Sequence, residues 1–80
     1  MALITKDNIK KIDKERNSVH NKVRATYTVF TSSGEKYFQI DTYGSATREL
    51  KDKISQSIQV DKDMAKELIK LLKNTFEILD

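Results

Sequence analysis

The stretch VRATYTVFTSSGEKYFQIDTY, residues 23–43, decides the fold. Two runs rich in β-branched and aromatic residues, 23–31 and 36–43, flank Ser32-Ser33-Gly34-Glu35, which is turn chemistry. A two-residue loop at Ser33-Gly34 and a four-residue loop give the same pairing, with Thr31 opposite Lys36. Val29 then faces Phe38, Tyr27 faces Ile40 and Ala25 faces Thr42 on the side expected to be buried. On the other side Phe30 faces Tyr37, Thr28 faces Gln39, Thr26 faces Asp41 and Arg24 faces Tyr43. A solvent-side face with three aromatics, an arginine, an amide and hydroxyls reads as a recognition surface.

Working outward, residues 44–47 (Gly-Ser-Ala-Thr) break the strand and residues 48–52 form a charged link. Alternation resumes over 53–60. Ile54, Ile58 and Val60 are expected inward and Ser55, Ser57 and Gln59 outward, while Gln56 falls on the inward side and suggests a sheet margin or a subunit contact. Asp61 is a good N-cap for a helix over 61–79. Met64, Ala65, Leu68, Ile69, Leu71, Leu72, Phe76, Ile78 and Leu79 fill about half its circumference. That stripe is wider than one small sheet requires, so either a second copy or the N-terminal segment is expected to cover the excess. Upstream, Thr5 is a candidate cap for a short helix through Ile12. A first strand over 9–15, at a lysine-rich sheet edge, fits slightly better.

The fold class that follows is α+β: a twisted antiparallel sheet of three or four strands, with one C-terminal amphipathic helix packed on one face. Tyr27, Val29, Phe38, Ile40, Ile54, Ile58, Leu68, Leu71 and Leu72 are the expected core. Eighty residues make one small domain, 1–80, with little surface to bury. Cysteine is absent, which removes disulfides and zinc–thiolate sites and leaves self-association as the way to add core. No apolar run approaches a membrane span and no signal-peptide pattern opens the chain, so a soluble cytoplasmic protein without membrane contact is expected.

Catalysis finds little support. His20 is the only histidine, the serines lack any triad context, and Gly34 and Gly44 are the only glycines, so no phosphate-cradling loop exists. Neither enzyme activity nor a cofactor or metal is expected. Charge is more informative: residues 1–40 carry a net +4 and residues 41–80 a net −1. Single-stranded nucleic acid binds to aromatic rings flanked by cations. Phe30, Tyr37 and Tyr43 offer the rings. Lys22, Arg24, Lys36, Arg48, Lys51 and Lys53 offer the charge, and Gln39 and Gln59 the base-edge contacts. Asp41 weighs against this reading because a carboxylate repels phosphate. The plain alternative is that Phe30 and Tyr37 are only a cross-strand pair.

Residues 35–43, Glu35-Lys36-Tyr37-Phe38-Gln39-Ile40-Asp41-Thr42-Tyr43, resemble the third strand of the positive-cofactor-four family of transcriptional coactivators: a Lys-Tyr followed by an alternating Ile-x-Thr-aromatic end. Residues 53–61 resemble its fourth strand, which runs into the C-terminal helix through an acidic or hydroxyl cap. Where that family carries Lys-Gly ahead of the fourth strand, this chain has Asp52-Lys53. The order of four strands and a helix also resembles this family and the related Whirly domains, from about residue 23 onward. The resemblance implies a homodimer built on the helix and fourth strand, with curved sheets gripping single-stranded DNA. The leading expectation is a non-catalytic single-stranded nucleic-acid-binding protein, an accessory factor of transcription or replication. A protein–protein adaptor or inhibitor of mobile-element origin, using the same sheet face, is the alternative.

Overall fold

The computed structural model describes residues 1–44 and 53–80. Its element order is β1 (Ala2–Ile4), a 3-10 turn (Lys6–Asn8), β2 (Ala25–Ser32), β3 (Glu35–Tyr43), β4 (Ile54–Val60) and α1 (Lys62–Phe76). The strands form one sheet in the order β1-β4-β3-β2, with one C-terminal helix, an α+β arrangement. The expected charged link falls outside the described residues.

The β2–β3 hairpin has the expected register throughout, from Ala25 opposite Thr42 to Ser32 opposite Glu35. Its loop is the two-residue one. Ser33 and Gly34 have φ of 51° and 80°, the positive values that a hairpin turn matching the strand twist requires. A Cβ added at Gly34 would meet nothing within 4 Å, so Gly34→Ala acts through backbone strain alone. It is expected to cost about 1–2 kcal/mol, read as a lowered urea midpoint. Ser33→Gly removes the same kind of strain and should move the midpoint upward.

Three features differ from the expectations. First, the sheet is mixed: β1 runs parallel to β4, pairing Ala2 with Ile58, Leu3 with Gln59 and Ile4 with Val60. The strand expected over 9–15 is absent, and no helix runs from Thr5 to Ile12. Only the 3-10 turn follows Thr5, closed by the Asn8 backbone N–H donating to the Thr5 carbonyl at 3.0 Å. Residues 9–24 contain neither helix nor strand, and all are exposed. They join β1 at one sheet edge to β2 at the other, carrying Lys10, Lys11, Lys14, Arg16, Lys22 and Arg24.

Second, the β3–β4 register contains a bulge: Thr42 pairs with Gln56, but Tyr43 pairs with Ile54, leaving Ser55 over. One extra residue reverses the facing of everything beyond it. Ile54 therefore shares a face with Tyr43 instead of pointing inward, while Gln56 stays on the side of Ile58 and is exposed there.

Third, the helix ends at Phe76. Asp61 caps its start as expected, accepting from the Met64 N–H at 2.9 Å. At the other end Glu77 adopts the left-handed conformation (φ 53°, ψ 45°), and the Ile78 N–H returns to the Lys73 carbonyl at 3.0 Å. This closing pattern turns Ile78 and Leu79 out of the helical stripe.

Packing gives the largest correction. Met64, fully buried, is the one buried apolar side chain among the described residues. A groove of about 280 Å³ separates Val29, Phe38 and Val60 on the sheet from Lys62 and Ala65 at the helix start. Beyond it, the expected core is open: Tyr27 is 69% exposed, and Val29, Phe38, Ile40, Ile54, Ile58, Leu71 and Leu72 are exposed too. Leu68 is half-buried. The helix packs mainly against the 3-10 turn and not on the sheet, so its wide stripe and the apolar sheet face are both left incompletely covered among the described residues. The accessible area is 7640 Å², against about 5,000 Å² for a compact monomer of this mass. The radius of gyration, 15.0 Å, exceeds the roughly 12 Å of a compact 80-residue domain.

Candidate nucleic-acid interface

The hairpin and β4 divide their side chains between two unlike faces. Tyr27, Val29, Phe38, Ile40, Ile58 and Val60 share one, where the Tyr27 and Phe38 rings stack at 5.2 Å. Lys36 belongs to that side as well, opposite Thr31, and so does not join the cations of the polar face. The polar face carries the candidate site.

At its turn end, Phe30 and Tyr37 are directly opposite, and their rings stack at 5.5 Å with 27° between planes. Phe30 is 37% exposed and Tyr37 half-buried, so neither ring is sealed beneath the N-terminal segment. At the other end, the Arg24 guanidinium lies 4.1 Å from the centre of the Tyr43 ring. The Tyr43 hydroxyl shares a 3.0 Å hydrogen bond with Thr26 Oγ1. One face of the Tyr43 ring is thus taken by a cation, and Tyr43 is fixed at both ring and hydroxyl. From Tyr37 to Tyr43 the strand spans about 20 Å.

Between these ends lies a hydrogen-bonded chain. Asp41 is 5% exposed and Ser57, opposite it, 8%. The Ser57 hydroxyl donates to Asp41 Oδ1 at 2.5 Å, and the Gln39 amide donates to Oδ1 and Oδ2 at 2.9 and 3.2 Å. The Gln39 carbonyl oxygen in turn accepts from Gln59 Nε2 at 2.7 Å. Asp41 spends its oxygens on its neighbours, so it organises the face instead of presenting a bare carboxylate to an incoming phosphate. Because a carboxylate only accepts, Gln39 must turn its amide nitrogen toward Asp41 and its oxygen toward Gln59.

Of the residues proposed from sequence, Arg24, Phe30, Tyr37, Gln39 and Tyr43 therefore lie on one face. Lys53 is exposed immediately before Ile54, beside the Tyr43 end. Arg48 and Lys51 lie outside the described residues. Ser57 escaped sequence reasoning, since its place opposite Asp41 depends on the β3–β4 register and its bulge. The cross-strand position of Leu3 beside Gln59 was hidden in the same way. Among the described residues, no three His, Cys, Asp or Glu side chains cluster in a way that would hold a metal ion, and no helix is long and apolar enough to cross a membrane.

Compared with family models, with curated proteins and with solved structures, the chain finds no match in any of the three.

Proposed function

We propose that this chain is a non-catalytic single-stranded nucleic-acid-binding protein, with DNA as the expected ligand, that acts as a homodimer in the cytoplasm. The observation that carries the reading is the division of labour between the two sheet faces. The polar face combines a stacked aromatic pair, an arginine-backed tyrosine and two oriented amides, Gln39 on β3 and Gln59 opposite it on β4. That is the combination of ring surfaces and cations on which unpaired bases and their phosphates bind. The exposed basic segment over 9–24, which leads directly into β2, adds phosphate-tracking charge.

The apolar face supports the dimer. The chain exposes about 2,600 Å² more than a compact monomer, partly in the 9–24 segment and partly on the open sheet face and helix stripe. Obligate homodimers bury about 2,000–5,000 Å² in total, and a second copy brings an identical apolar surface to match. Self-association through the apolar side leaves the polar side outward and free for nucleic acid. The resemblance to the positive-cofactor-four family points the same way, toward an accessory role in transcription or replication.

Fluorescence anisotropy with a labelled twelve-residue oligothymidine at low salt tests the proposal. Saturable binding, competed by unlabelled single strands more effectively than by duplex, is the expected result. The rival reading, an adaptor or inhibitor using the same polar face, draws on the exposed Phe30 ring and its Tyr37 neighbour for a protein partner. Absence of oligonucleotide binding would favour it.

A further inference from the structure

Next to the two amides, the polar face holds an open concavity of about 400 Å³ lined by Met1, Ala2, Leu3, Gln39, Ile54, Ser57 and Gln59. Its size is that of a small-ligand site. Two departures from simple alternation build it. The parallel pairing of β1 sets Leu3 beside Gln59, and the bulge at Ser55 brings Ile54 onto the polar face opposite Tyr43. Both apolar side chains are exposed there, beside the polar Gln39, Ser57 and Gln59. Apolar walls around an oriented amide match the two demands of an unpaired nucleobase, which has flat apolar faces and a hydrogen-bonding edge.

We infer that this concavity is a base-reading subsite, seating one unpaired nucleobase between Leu3 and Ile54 with its edge on the Gln59 carboxamide. The inference rests on the nucleic-acid reading above and adds where on the face a base is recognised by hydrogen bonding. Gln59 donates one amide hydrogen to Gln39. Its second amide hydrogen and its carbonyl oxygen remain for a ligand, a donor and an acceptor on one planar group. A donor–acceptor pair complements the Watson–Crick edge of any base that offers one of each. The subsite therefore favours a base over no base more strongly than one base over another.

Asp41 is the positioning residue. It fixes Gln39, Gln39 fixes Gln59, and the order of donors along that chain sets which way the Gln59 amide faces. Asparagine at 41 both donates and accepts, so it no longer dictates the Gln39 orientation, and the amide of Gln59 is free to flip.

The test compares a twelve-residue oligothymidine with an abasic oligomer of the same length and charge. The unsubstituted chain should prefer the thymidine strand. Gln59→Leu should lower affinity for oligothymidine about tenfold and leave affinity for the abasic strand unchanged. Gln59→Glu keeps the shape, removes the donated hydrogens and should lose the same preference. Asp41→Asn should reduce the ratio of the two affinities, a ratio that a uniformly loosened fold does not move. Equal affinity of Gln59→Leu and the unsubstituted chain for oligothymidine, with Tyr37→Ala still weakened, would overturn the subsite and leave the nucleic-acid reading standing. Failure of the unsubstituted chain to bind either strand would overturn both.

Discussion

Leu72→Asp is expected to abolish the dimer and to cost about 3–5 kcal/mol, the penalty of an uncompensated charge in an apolar contact. In the single chain Leu72 is 47% exposed, and a charge at a truly solvent-facing helix position changes stability by no more than about 0.5 kcal/mol. The two situations differ by several kcal/mol, enough to unfold so small a domain. Sedimentation equilibrium and urea denaturation at several protein concentrations read the outcome. The unsubstituted chain should sediment as a dimer with a concentration-dependent midpoint, and the variant as a largely unfolded monomer. Lys70→Asp, on the charged side of the same helix, should leave both measurements nearly unchanged.

Tyr37→Ala carries the second large effect. Removing one ring of a stacking platform should weaken single-strand binding by about 1–3 kcal/mol. The Phe30–Tyr37 stack also contributes to the hairpin, by about 0.5–1 kcal/mol as a cross-strand pair. Loss of affinity should therefore exceed loss of stability. The opposite order, a lowered denaturation midpoint with unaltered binding, would mean that the two rings serve only each other. Phe30→Ala provides an independent check, because its exposed ring lies on the same platform without the tyrosine hydroxyl.

The hairpin was legible because its information is local. Side chains alternate with period two, and a glycine-containing turn fixes the count, so eight residue pairs follow from one reading. The same locality made Phe30–Tyr37 and Arg24–Tyr43 visible as neighbours. Legibility ends where one residue or one distant contact decides. The extra residue at Ser55 leaves no mark in an alternating sequence, yet it moves Ile54 to the other face. Strand β1 is three residues long, too short for any period, and its partner lies more than fifty residues away. The left-handed stop at Glu77 uses no glycine or proline, so nothing in 61–79 announces it. The described residues leave the apolar stripe largely uncovered, and a pattern along one sequence does not distinguish a core from an interface. Sequence thus brought out the aromatic ends of the candidate site, while the buried Asp41–Ser57 link between them depended on tertiary register.

A salt series on oligothymidine binding tests the central claim most directly. Binding by rings and cations along a single strand should weaken as salt rises, with log Kd changing against log salt by about 0.7 for each phosphate neutralised. Lys53→Ala, at the exposed cation beside the Tyr43 end, should lower affinity to a similar extent for every base sequence and reduce that slope by about one phosphate. Tyr37→Ala should lower affinity and leave the slope unchanged, since the ring neutralises no charge. Saturable binding with this division between slope and intercept is the expected result. No binding at low salt, or binding that neither salt nor these two substitutions alter, would contradict it.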